Sequence, residues 1–198
     1  YISIIYMVKT KKNNQSEGFG ISDCHNPKKN TKHGYAYKTR KIYKRPRTLK
    51  NYSKKILKPV ILFPHALGQT KGGVDKAPTY IKKYINKKKH KIYTVQNSGN
   101  FFKNLRDLYN MNVKIKGDKI NIGGDHSMSI ATMADTLNTY PNAKIIYFDA
   151  HADINTYASS KSKHFHGMPL SFITGIDQNK NFDFIKNGLP DASTLGVL

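Results

Sequence analysis

The sequence holds 198 residues, 34 of them Lys or Arg and 12 Asp or Glu, for a formal net charge of +22. That length gives room for one domain with a real core plus an extension, and a single cysteine, Cys24, excludes an intrachain disulfide framework. No apolar run reaches the length that crosses a bilayer, and residues 1–8 lack a small-residue cleavage site, so a secretory or membrane protein is disfavoured and the cytoplasm is the expected compartment.

The charge is uneven. Residues 1–58 carry 16 basic and 2 acidic side chains, and the remaining 140 residues carry 18 and 10. We read 1–58 as a basic, disordered extension and 59–198 as the folded domain. A basic arm can bind nucleic acid by counterion release. Lys, Asn, Ile and Tyr are abundant along the whole chain, however, so composition accounts for the arm better, and nucleic acid is not the expected partner. The Met at position 7 is an alternative start.

From Pro59 onward the signals alternate. Val60-Ile61-Leu62-Phe63 reads as a buried parallel strand, followed by a Gly-containing loop over 64–77. Pro78 opens a helix running through Ile81, Tyr84 and Ile85, ending in a solvated Lys87-Lys88-Lys89. A strand is expected at 91–95, and Phe101, Phe102, Leu105 and Leu108 lie at helical spacing for packing. Then come a strand at 119–122, a helix over 127–139, a strand at 144–148, a loop over 150–166, a helix over 169–174 and the start of a strand at 194–198. The stretch 183–185 gives no clear signal. Alternation of this kind implies a parallel sheet covered on both faces by helices.

Two strand ends carry the chemistry. Asp149-Ala150-His151-Ala152-Asp153 follows the apolar run 144–148. In extended backbone Asp149, His151 and Asp153 would share a face, at the carboxyl end of a strand where open α/β sheets place their sites. Gly123-Gly124-Asp125-His126-Ser127 follows the other strand, with glycines for a tight turn into a helix. Carboxylates and imidazoles without thiolates suit Mn²⁺ or a similar divalent ion better than structural zinc, and paired ions of that kind support hydrolysis. His126, Asp149, His151 and Asp153 are the candidate ligands, with Asp125 as a residue that orients one of them. His166, in a loop thirteen residues after Asp153, can shuttle protons. His25, His33, His65 and His90 are isolated and read as solvent-facing or incidental.

These segments, together with His166-Gly167-Met168-Pro169-Leu170-Ser171-Phe172, resemble the successive signatures of the ureohydrolases. Asp153-Ile154-Asn155 and the His166 segment resemble arginase rather than agmatinase, and Gly68-Gln69-Thr70-Lys71-Gly72-Gly73-Val74 resembles the first loop of that family. The resemblance covers about residues 59–198. It implies a three-layer α/β/α sandwich with a mainly parallel sheet, a binuclear Mn²⁺ centre, hydrolysis of L-arginine to ornithine and urea, and a homotrimer. It further implies Asp149 as the bridging ligand, Asp153 as both ligand and catalytic group, His166 as the proton shuttle, and Asn155 and Ser162 as contacts to the substrate α-carboxylate. Lys163 and His164 depart from the residues usual beside Ser162.

The family pattern also calls for a later strand bearing Asp-x-Asp and for a Glu that holds the guanidinium. No Asp-x-Asp follows Val197, and Glu17 is the sole glutamate. The expectation is therefore the N-terminal part of an arginase with a partial ligand set, an open sheet edge, and need of a complementing C-terminal half. Two other readings remain: a catalytically dead ureohydrolase-like binding or regulatory protein acting through its arm, and a related amidinohydrolase such as agmatinase.

Overall fold

The computed structural model describes residues 58–188 together with strands at 6–8 and 195–197. The expected extension lies outside the described residues, apart from its strand at 6–8 and Lys58.

Strand β2 (Val60–Phe63) sits at the centre of a parallel sheet, between β3 (Ile92–Thr94) and β4 (Ile120–Gly123). All four of its side chains are buried, as a continuous Val-Ile-Leu-Phe run bounded by Pro59 and Pro64 should be. A second three-stranded sheet places β5 (Lys144–Tyr147) between β1 (Tyr6–Val8) and β6 (Leu195–Val197). Strands β5 and β6 run parallel, whereas β1 pairs antiparallel, Met7 opposite Ile145. The antiparallel pairing is confined to the β1 edge, within the mainly parallel pattern expected.

Helix α1 (Ala77–Lys82) carries Pro78 in its first turn, as expected, but stops three residues before Ile85. The cause is local. The Asn86 side chain accepts from Lys88 N–H at 3.0 Å, drawing the backbone into a turn, and like charges at Lys82, Lys83, Lys87, Lys88 and Lys89 would crowd a continued helix. The three lysines are exposed on that turn, not at a helix end.

Helix α2 (Phe101–Lys114) is capped by Asn100, whose side chain accepts from Lys103 N–H. Helix α3 (Met128–Thr139) is buried without a break from Ser129 to Leu137 and packs between α2 and α4 (Pro169–Ile173). Its buried hydroxyls bond back to the helix, Thr136 donating to the Thr132 carbonyl at 2.9 Å, so the polar side chains of a helix buried on every face stay satisfied in the core. Residues 183–185, silent in sequence, contribute Phe184 to an aromatic chain that runs Phe101, Phe165, Phe172, Phe182, Phe184, with successive centroids 4.8 to 5.9 Å apart. That chain fastens the loop bearing His166 to α2.

Candidate metal centre

Strand β5 delivers Tyr147 as its last residue, and the backbone turns at once. Asp149 Oδ1 accepts the N–H of His151 at 3.0 Å, an Asx turn that ends the extended conformation. Asp153 then adopts φ 45°, in the left-handed region that a non-glycine residue enters only when its surroundings hold it there. The alternation expected of extended backbone is therefore absent. Asp149 and Asp153 fold inward to side-chain exposures of 8% and 10%, while His151 is 72% exposed, its Nδ1 3.7 Å from Asp149 Oδ1.

The inward pair meets His126, delivered by the turn between β4 and α3. His126 Nδ1 lies 3.1 Å from Asp149 Oδ2 and 2.6 Å from Asp153 Oδ2. Among the described residues these three form a group whose ligand atoms all fall within 4.8 Å of one another. Two buried carboxylates and an imidazole nitrogen at that spacing fit a divalent cation, whose charge would offset their mutual repulsion. The structure brings together three of the four sequence-derived ligands and leaves His151 outside the group.

Tyr147 belongs to the same cluster. Its hydroxyl donates to Asp153 Oδ2 at 3.1 Å and sits 3.2 Å from His126 Nδ1, and its ring stacks on the imidazole with centroids 5.0 Å apart. Burial, and then the neighbouring Asp153 carboxylate, push the phenol well above its ordinary pKa. In sequence Tyr147 read as one more apolar strand residue. The available signal was its position two before Asp149, on the same strand face.

Asp125 links its own motif segment to the loop around Gly68. Its Oδ2 accepts Gly68 N–H at 3.0 Å, and its Oδ1 accepts both Ser127 N–H, at 2.8 Å, and the Ser127 hydroxyl. It is thus engaged by Gly68 and Ser127 and stands outside the ligand group. Gly68 in turn offers its carbonyl to the His166 N–H and to His166 Nδ1, both at 3.2 Å. A carbonyl only accepts, so His166 Nδ1 carries the proton and Nε2 is the nitrogen left to exchange one. The second loop is tied to the third motif by Asn155 N–H on the Gly167 carbonyl and Leu170 N–H on the Asp153 carbonyl, at 3.3 and 3.1 Å.

Asn155 and Ser162 are exposed. Ser162 Oγ accepts the His164 N–H at 3.4 Å. Lys163, with φ 57°, closes that loop through its ammonium on the Tyr157 and Ala158 carbonyls.

His65 corrects the reading of an isolated, solvent-facing histidine. It is 1% exposed, edge-on to Phe63 at 4.2 Å, and among the described residues its Nε2 has no hydrogen-bond partner within normal geometry. Burial lowers its pKa, against smaller upward pulls that include the charges of Asp125 and Asp75. Its place just beyond β2, at the carboxyl end of the central strand, was the signal that marked it as part of the framework behind the site.

A parallel α/β layer carries at its strand ends a carboxylate–imidazole cluster whose donors a divalent cation would fit. The sequence profile described as the arginase family matches residues 59–193. The Bacillus subtilis arginase is 36% identical over 141 residues, covering 59% of this chain and 48% of that protein. Its crystal structure aligns with a TM-score of 0.57 at 26% identity, over 70% of this chain and 54% of that one. An Entamoeba histolytica arginase, solved in complex with L-ornithine, shares the fold at a TM-score of 0.60 and 24% identity, over 70% of this chain and 56% of that one. The chain belongs to the arginase family, and its fold is the α/β class with a mainly parallel sheet read from the sequence. It spans about half the length of the relatives it matches.

Proposed function

We propose that this protein works as an arginase-type ureohydrolase, hydrolysing L-arginine to ornithine and urea at a Mn²⁺ centre. The observation that carries the reading is the convergence of His126, Asp149 and Asp153 in a chain of the arginase family. Asp149 and Asp153 supply hard oxygen donors and His126 a borderline nitrogen, the donor set that suits Mn²⁺. His151, exposed at the rim with its Nδ1 3.7 Å from Asp149 Oδ1, would be the fourth donor. A divalent ion held there supplies Lewis acidity, making water nucleophilic near neutral pH.

The remaining steps fall to side chains. His166, with Nδ1–H fixed on the Gly68 carbonyl, moves a proton through Nε2 between solvent and the leaving amine. Asn155 and Ser162, exposed on the loop before it, hydrogen-bond the α-carboxylate of the amino acid. The basic extension remains without a part in this reaction, and the family's homotrimer remains the assembly proposed for the chain.

The test is urea release from L-arginine by the purified chain with Mn²⁺ in excess, beside Asp149→Ala and with agmatine as a competing substrate. Release from arginine should exceed release from agmatine and fall at least about a hundredfold in the variant, the scale of losing a metal ligand's contribution to the transition state. Wild-type rates in Asp149→Ala, or no urea from the wild type, would sink the assignment of arginase activity to this chain.

A further inference from the structure

We propose that Tyr147 is a positioning residue of the metal centre, its hydroxyl holding the Asp153 carboxylate and its ring holding the His126 imidazole; the proposal rests on the reading of that cluster as a Mn²⁺ site. Tyr147 is the last residue of β5 and 1% exposed, so its hydroxyl lies inside the fold. A phenol in that position costs free energy unless it is hydrogen-bonded, and an aliphatic side chain would fill the same strand position without that cost. Among the described residues its hydrogen-bond partners are two of the candidate ligands, Asp153 Oδ2 at 3.1 Å and His126 Nδ1 at 3.2 Å.

The chemistry fixes the direction of each contact. A carboxylate oxygen only accepts, so the phenol proton goes to Asp153 Oδ2, which keeps a further lone pair for a cation. The phenol ring lies at 22° to the imidazole plane with centroids 5.0 Å apart, a stack that limits rotation of His126. Asp153 needs such support. At φ 45° it sits in a conformation costly for a β-substituted residue, and it is gripped at both ends, its carbonyl by Leu170 N–H and its carboxylate by Tyr147. Groups that orient metal ligands in this way commonly change metal affinity 10- to 100-fold when removed.

Tyr147→Phe keeps the ring and the stack and deletes only the hydroxyl. The full chain, stripped with EDTA and dialysed, is titrated with Mn²⁺ by calorimetry, with the free ion counted by electron paramagnetic resonance. The thermal midpoint of both proteins is measured in EDTA. Mn²⁺ affinity should fall about tenfold or more in the variant, the spectrum of the bound ion should change, and the midpoint in EDTA should stay with the wild type. Unchanged Mn²⁺ affinity overturns the proposal. So does a loss of affinity that comes with a lowered midpoint in EDTA, since the residue would then act through packing. Failure of the wild type itself to bind Mn²⁺ removes the metal reading of the cluster and this role with it.

Discussion

Gly68 lacks a side chain where none would fit. A Cβ there would lie 2.6 Å from Ser127 Oγ and 2.7 Å from Asp125 Oδ1, and both atoms are held in place by hydrogen bonds to each other. Gly68→Ala should therefore cost about 1–3 kcal/mol, the scale of overpacking a site that cannot yield. Gly72, four residues on, has nothing within 4 Å of its would-be Cβ, so Gly72→Ala should change stability by less than about 0.5 kcal/mol. Urea unfolding of the two variants in EDTA tests the contrast; equal effects would mean that the Asp125–Ser127 pair moves aside. At this scale the sequence reading named His126, Asp149 and Asp153 together, because motif order and residue chemistry both point to one strand-end cluster, and the structure brings their ligand atoms within 4.8 Å of one another. It could not place His151, since the Asx turn at Asp149 depends on which hydrogen bond the carboxylate chooses. It passed over Tyr147 because an aromatic residue in an apolar strand reads as core until its hydroxyl finds a partner.

Between β4 and α3 runs a buried ion pair, Lys119 Nζ to Asp135 Oδ2 at 2.7 Å, with side chains 9% and 7% exposed. Lys119 also donates to the carbonyl of Asn112 on α2, so one ammonium joins three elements. Lys119→Ala strands a carboxylate among the apolar side chains of α3 and should cost about 3–5 kcal/mol. Lys119→Met combined with Asp135→Leu should come back to within about 1 kcal/mol of the wild type, since apolar replacement of a buried pair is often neutral. Denaturant unfolding of both proteins decides; a single-variant loss below about 1 kcal/mol would mean that water reaches Asp135. Element existence was well marked in sequence. The strands near 60, 120 and 144 and the helices from Phe101 and Met128 follow from short apolar runs bounded by turn residues or from helical spacing. Where the reading erred, as at the early end of α1, side-chain competition for backbone groups outweighed periodicity. The antiparallel edge formed by β1 was invisible, because a three-residue strand carries no period and its partner is 138 residues away, Met7 opposite Ile145.

The whole molecule carries +22 and eight histidines, so acidification adds charge to an already self-repelling chain. One histidine makes that dependence specific. His65 is buried behind the site, and burial holds its pKa below 6.5 while Asp125 and Asp75 pull the other way. Above pH 6.5 the ring is neutral in the folded and unfolded states alike, and its contribution to stability is constant. As pH falls through 6.5 the unfolded chain takes up a proton that the folded chain refuses. Stability then declines, and the decline is complete once pH is below the folded-state pKa. One such group limits the slope to about 1.4 kcal/mol per pH unit. His65→Leu removes the group and leaves Asn104 its bonds to Asn97 and Ser98. Unfolding free energies of the two proteins, measured in EDTA at about pH 7.5 and about pH 5.5, should show a steeper acid loss in the wild type. The remaining histidines and the net charge are common to both proteins and cancel in the difference. Parallel pH profiles would mean that His65 is protonated as readily folded as unfolded, with a water or a carboxylate reaching the ring inside the fold. A shallower loss in the wild type would reverse the sign and place an anion, not burial, in control of that side chain.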